Sequence, residues 1–340
     1  MVTKCSISGL QGQLLNSASP VRSVPAMLMV ALLVGSVGTA SAVPPQVDLP
    51  GGRAFPESLT STQDGTLFVG SFAEGGVLKV APGATVAEPW IKPGANGSRS
   101  TFGVLADEKS STLLVCSNDT SGFGVPSPGT SKGSALEAFD LRTGEAKGST
   151  PLPGDVTLCN DIAIGADGAA YVTDSFNPHI LRLKAGGSAF EVWATDPRFT
   201  PPKGGAGLDG IAFGSDGAVY VNTFTPGGLF KVAVADGKAG EVTTLQTSRK
   251  IGLPDSLRAY GKNTFLMIEG TGSLDLVTID GGTAEIKTLQ DGFDGPVSVT
   301  QVGATGWVAE GQLDHLLNPE LKKQPPKLPF HLYAVPLPPQ

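Results

Sequence analysis

Cysteine, histidine and tryptophan are scarce in this chain, three of each in 340 residues. With so few soft ligands and no C-x-x-C spacing, a structural zinc site is excluded. Charged residues make up only 16%, and their balance is acidic, with a formal net charge of −7. An acidic chain has no electrostatic case for binding nucleic acid. Long helical patterns are few, and no apolar run is long enough to span a bilayer. What the chain has in quantity is glycine (46) and proline (27), in keeping with many short strands joined by turns.

The first 42 residues read as a signal peptide. Lys4 and Arg22 are their only charges, Ala26 to Val34 is a short apolar run, and Ala40-Ser41-Ala42 is a cleavage signature. Export to the periplasm or exterior follows, with residues 43–340 as one large domain. Loss of the two leader cations takes the formal charge from −7 to −9. Cys5 leaves with the leader. An oxidising compartment permits Cys116 and Cys159 to form a disulfide, and the sequence leaves that and two buried free thiols equally open.

One phrase recurs along the remainder. Asn160-Asp161-Ile162 leads to Asp167-Gly168 and then Tyr171-Val172, Asp209-Gly210-Ile211 leads to Asp216-Gly217 and Val219-Tyr220-Val221, and Glu57-Ser58-Leu59 leads to Asp64-Gly65 and Leu67-Phe68-Val69. Apolar alternation around Asp-Gly predicts a strand, a type I′ turn and a second strand. A polar residue opens each copy twelve positions before the strand valine. The same rule places openers at Gly103, Asp255 and Pro296, giving six units of 41 to 57 residues. Units of this length suit four-stranded propeller blades. The expected fold is all-β: a six-bladed β-propeller of four-stranded blades, with Gln46-Val47-Asp48-Leu49 supplying the outer strand of the last blade and so closing the ring.

Ring geometry turns the openers into a site. Glu57, Asn160, Asp209 and Asp255 bring three carboxylates and one amide to one end of the channel, where like charges need a cation between them. Oxygen-only ligands predict one divalent cation, calcium over magnesium. A second set, among them Asn118, Asp174, Glu269 and Glu310, ends the second strands on the same face and is expected to line the substrate pocket, with Arg99 on a nearby loop.

The segments Phe55-Pro56-Glu57-Ser58, Cys159-Asn160-Asp161-Ile162, Leu208-Asp209-Gly210-Ile211 and Leu253-Pro254-Asp255-Ser256 resemble the senescence-marker-protein, gluconolactonase and luciferin-regenerating-enzyme family. Asn160-Asp161-Ile162 is also similar to the paraoxonases. The resemblance implies one catalytic cation in the channel and lactone hydrolysis. It makes Glu57, Asn160 and Asp255 metal ligands in type, with Asp255 as general base. Asp209 stands where that family has asparagine. No histidine opens the second blade, unlike the paraoxonases, and Ser58 replaces the acid that serves their second ion. The implied partner is a small-molecule substrate, a lactone or related ester. A non-catalytic ligand- or partner-binding propeller with a structural metal is the alternative, and a lyase or strictosidine-synthase-like propeller a third.

Overall fold

The computed structural model describes residues 45–340, so the signal-peptide reading of residues 1–42 lies outside them. Among the described residues no helix is long and apolar enough to cross a membrane. The repeated phrase forms hairpins in which Leu59 pairs with Val69, Ile162 with Val172 and Ile211 with Val221. All six side chains are buried, since alternate positions of each strand face the next blade.

The turns differ from the expected type. A type I′ turn needs positive φ at both central residues. Here only the glycines have it: Gly65 at 90°, Gly168 at 77° and Gly217 at 77°. Each hairpin has a tight turn that ends on a left-handed glycine. The aspartate acts through its side chain instead, accepting the N–H two residues on at Thr66, Ala169 and Ala218 (3.0, 3.1 and 3.1 Å).

Six antiparallel sheets result. Blade one comprises Pro56–Ser61, Leu67–Ser71, Val77–Val80 and Glu88–Ile91, and blade two Ser100–Asp107, Thr112–Asn118, Ser134–Asp140 and Ala146–Pro151. Blade three comprises Cys159–Ile164, Ala170–Asp174, His179–Leu183 and Glu191–Thr195, and blade four Leu208–Phe213, Val219–Thr223, Gly228–Ala235 and Lys238–Thr244. Blade five, Pro254–Gly261, Thr264–Glu269, Ser273–Asp280 and Thr283–Asp291, gains a short parallel fifth strand, Gln246–Thr247. Blade six takes Pro296–Val302, Thr305–Glu310 and Phe330–Pro336 from the end of the chain and Gln46–Leu49 from its beginning. Val47 and Leu49 are fully buried there, so the expected closure is present. The inner strands touch in cyclic order, the sixth meeting the first.

Every inner strand carries a bulge near its start, between Pro56 and Ser58, Thr101 and Val104, Cys159 and Ile162, Leu208 and Ile211, Pro254 and Leu257, and Pro296 and Ser298. A bulge re-aims a side chain out of the pleat. The re-aimed residues are Glu57, Phe102, Asn160, Asp209, Asp255 and Val297. The expectation of Gly103 and Pro296 as openers is therefore corrected by one residue. The spacing from bulge to second-strand valine is thirteen in blade two (Phe102 to Val115) and eleven in blade six (Val297 to Val308).

The next bulge residue stitches neighbouring blades. Ser58 Oγ accepts from Val104 N–H, Asp161 Oδ2 from Ile211, Ser256 Oγ from Val299 and Ser298 Oγ from Leu59. At the other two joints the residue is glycine. A Cβ on Gly103 would lie 2.3 Å from the Asn160 carbonyl oxygen, and one on Gly210 2.4 Å from that of Asp255, so the backbones meet directly.

A disulfide joins Cys116 in blade two to Cys159 in blade three, with Cα atoms 5.2 Å apart, which decides the question the sequence left open. Beside it the Asn118 amide bonds both backbone groups of Cys159, at 3.0 and 2.8 Å. Replacing both cysteines by alanine is expected to cost about 2–4 kcal/mol in urea unfolding, since the bond closes a loop over a separation of 43 residues. An unchanged midpoint would show the crosslink to be superfluous beside the Asn118 bonds.

Candidate functional site

Glu57, Asn160, Asp209 and Asp255 arrive from the inner strands of blades one, three, four and five and line a single cavity of ≈210 Å³. Below it a void of ≈10 Å³ continues between the same four residues down to Asp161, Ser256 and Arg258. Glu57, Asn160 and Asp209 are 5–7% exposed. Asp255 is the least covered, because it also lines a second cavity of ≈450 Å³.

Burial is the largest effect on these acids, and mutual repulsion adds to it. Glu57 is held well above the usual carboxylate range by burial, then by the charges of Asp209 and Asp161. Asp209 is pushed up to about 8 by burial and then Asp161, against the Asn160 amide that donates to it. Asp255 is raised by burial, then Asp209 and Glu57. Asn160 spends its N–H donors on Ser175 Oγ (2.9 Å) and Asp209 Oδ2 (3.2 Å), which leaves its carbonyl oxygen without a donor among the described residues. No described hydrogen bond reaches the Glu57 carboxylate either.

The donor chemistry suits a hard cation: oxygen atoms only, three of them from carboxylates short of donors. Charge compensation is otherwise by protons, and Asp255 lies close enough to Asp209 to share one. The cage is not preformed, since among the described residues no three His, Cys, Asp or Glu side chains already stand at metal-binding spacing. A cation of the calcium type takes six to eight oxygen ligands at flexible geometry, waters included, so of the divalent cations it demands least of these four side chains.

Directly beneath the four sits a cation the sequence reading overlooked. Arg258, on the inner strand of blade five, reaches across to Asp161 of blade three with both nitrogens, at 2.5 and 2.9 Å. The pair is largely buried, at 18% and 6% side-chain exposure. With Ile211 N–H on the same carboxylate, Asp161 ties blades three, four and five together. Its oxygens are therefore engaged, and a second cation in the channel has no free acid to bind. The available signal was an arginine inside an inner strand, three residues past Asp255, where blades one, three and four have threonine or alanine (Thr60, Ala163, Ala212).

The residues expected to line the pocket lie elsewhere. Asn118 bonds Cys159, as described. Asp174 accepts from Leu158, Phe176 and Asn177. Glu269 takes Arg249 and Gly252 N–H, Glu310 takes Asp294 N–H, and Arg99 pairs with Asp119 at 2.9 Å. None of the five borders the ≈210 Å³ cavity. Ending a second strand puts Asn118, Asp174, Glu269 and Glu310 one strand farther from the axis, where each bonds neighbouring backbone, and Arg99 is held on its loop by Asp119. The walls are aromatic instead: Phe72, Phe102, Phe123, Phe176 and Phe224.

The sequence matches no family model and no curated protein. Solved structures match over most of the chain. The Malassezia sympodialis allergen Mala s 1 has 17% identity and a TM-score of 0.67, covering 86% of this chain and 96% of its own. A gluconolactonase of Xanthomonas campestris has 18% identity and a TM-score of 0.62, covering 86% and 89%. An inactive variant of the virginiamycin B lyase of Staphylococcus aureus, solved with quinupristin, has 16% identity and a TM-score of 0.56, covering 85% and 83%. Identities this low show the shared fold alone.

Proposed function

We propose that this chain is an exported hydrolase that depends on one divalent cation, calcium by preference, and opens a lactone or a related carboxylic ester. The observation that carries this reading is the convergence of Glu57, Asn160, Asp209 and Asp255, from four separate blades, on the floor of one cavity. The likeness in fold to a gluconolactonase is consistent with it. A divalent cation held by these four oxygens supplies Lewis-acid polarisation of an ester carbonyl. Asp255 accepts the proton of the attacking water, which reaches it from the larger cavity that it also lines. Ser175 and Asp209 hold the Asn160 amide so that its oxygen, not its nitrogen, is left for the cation.

A screen of simple lactones with and without chelator tests the proposal. Turnover that chelator abolishes and calcium restores is the expected result. Turnover indifferent to chelator, or none with any lactone, overturns it. The second reading, a non-catalytic binding propeller with a structural metal, is favoured by Asp209, whose extra charge holds a cation tightly and blunts it as a Lewis acid. Thermal stabilisation by calcium without turnover would select that reading.

The same acids predict a pH dependence. With carboxyl pKa values raised in the folded state, the folded protein keeps protons that the unfolded chain releases above about pH 4. Stability conferred by the protonated acids is thus full below about pH 4 and is lost progressively as pH rises through the folded value, about 8 for Asp209. In chelator, Tm is expected to fall between pH 5 and pH 8, and calcium to raise Tm more at pH 8 than at pH 5. Surface aspartates such as Asp64 and Asp196, lowered by hydrogen bonds from Thr62 and Arg198, act in the opposite sense only below this window. A cation-free Tm that climbs across pH 5 to 8 contradicts the assignment.

A further inference from the structure

The cavity over the four oxygens has a sided construction. Phe72, Phe176 and Phe224 recur just past the second strands of blades one, three and four, and Phe102 fills the bulge position of blade two. Phe72 packs against Phe102 with ring centroids 5.0 Å apart, and Phe176 meets Phe123 edge-on at 6.0 Å. Blades five and six have Gly270 and Gly311 just past their second strands. That side is closed by Leu313 and Leu317, which bracket the only α-helix among the described residues, Asp314–Leu317. Both leucines also border the ≈450 Å³ cavity, so they stand as the wall between two chambers that meet at Asp255 and Phe224.

Apart from the four floor residues, no side chain that lines the smaller chamber carries a charge, hydroxyl or amide. Above the floor oxygens, a polyhydroxylated ligand would bury hydroxyls against walls that offer only the backbone of Gly204, Gly205 and Ala206, and unpaired buried hydroxyls are costly. An alkyl or aryl body suits every wall. At ≈210 Å³ the chamber is also smaller than the sites of drug-sized ligands, roughly 300–1,000 Å³.

We infer that the site selects a compact ligand with one carbonyl end and an apolar body, not a sugar lactone, and that Leu317 sets the length at which the fit fails. The carbonyl end rests on the hydrolase reading; the apolar selection does not. The test is a series of γ-lactones with substituents from hydrogen to heptyl, beside D-gluconolactone, assayed with the purified protein in calcium buffer. Binding of the same compounds is measured by calorimetry. Each added methylene is expected to raise kcat/KM about fourfold until the chamber is full, after which the value falls. D-gluconolactone is expected at least about 100-fold below the best alkyl lactone. Leu317→Ala opens the wall and moves the optimum to longer chains, and since Leu317 is 42% exposed its truncation spares the core. Equal turnover of D-gluconolactone, a flat series, or an optimum unmoved by Leu317→Ala overturns the inference and leaves hydrolysis standing. Should no lactone be hydrolysed, length-dependent binding that Leu317→Ala extends sustains the ligand class and removes hydrolysis alone. Absence of binding by every lactone overturns both.

Discussion

Asp255→Asn is expected to lower lactone turnover about 10³-fold while leaving the chain folded. Asparagine keeps the shape of the side chain and one oxygen for a cation, but it cannot take a proton from water at neutral pH. The Asp255 carboxylate meets the adjacent Ser256 N–H and the Asp209 carboxylate, both of which an asparagine oxygen and amide can still bond, and its backbone carbonyl accepts the Asn222 amide at 2.6 Å whatever the side chain. The variant also removes one of three mutually repelling buried acids, so in chelator its Tm is expected to match or exceed that of the parent above pH 7. The pairing of lost turnover with kept or increased stability distinguishes a base from a structural residue. It is read by pH-stat assay and thermal unfolding on one preparation. Full activity in Asp255→Asn would remove the residue from the chemistry.

Arg258→Met carries the second large effect, a loss of about 3–5 kcal/mol in urea unfolding. The methionine packs as well as the arginine stem, but it abandons Asp161 among Glu57, Asp209 and Asp255 with no compensating charge. Arg258 lowers the pKa of Glu57 and of Asp209, though less than burial and the acidic neighbours raise them, so its loss also strengthens the stability decline toward alkaline pH. Adding Asp161→Asn is expected to return the double variant to within about 1 kcal/mol of the parent. The asparagine oxygen still accepts the Ile211 N–H while the stranded charge is gone. A single variant as stable as the parent would mean that the pair contributes nothing beyond packing.

Much of this architecture was legible because propeller blades repeat their hairpins. The spacing from Glu57, Asn160 and Asp209 to a buried valine of the second strand is set by backbone pairing, which tolerates little variation, and it located Asp255 across a blade that lacks the Asp-Gly turn. The outer closing strand was legible for a related reason: Val47 and Leu49 alternate with polar neighbours and need a partner. The errors fall where hairpin length changes. Thirteen and eleven residues in blades two and six displaced the openers to Phe102 and Val297, which turned two apparently featureless positions into apolar ones at the channel mouth. The turn type was misjudged because Asp-Gly in isolation does not reveal whether the aspartate bends the chain by its own φ or by its carboxylate. Arg258 was passed over because a single cation shows no periodicity, and its importance depends on Asp161 lying 97 residues away in sequence. The phenylalanines past the second strands do recur, in blades one, three and four, but an apolar residue at that spacing reads equally as core or as cavity wall.

Blade six also constrains the order of assembly. Its outermost strand, Gln46–Leu49, precedes every other described strand, and its ladder is with the last described strand, Phe330–Pro336, beside a single bridge from Asp48 to Val86 at the rim of blade one. Until Phe330–Pro336 has been made, Val47 and Leu49 lack the strand that they pair with, and the Asp48 bridge to Val86 is what holds the segment to blade one. Closure is therefore nonlocal, of the kind that makes β proteins fold slowly. Shortening the chain before Phe330 leaves not a smaller ring but a clasp with one half missing.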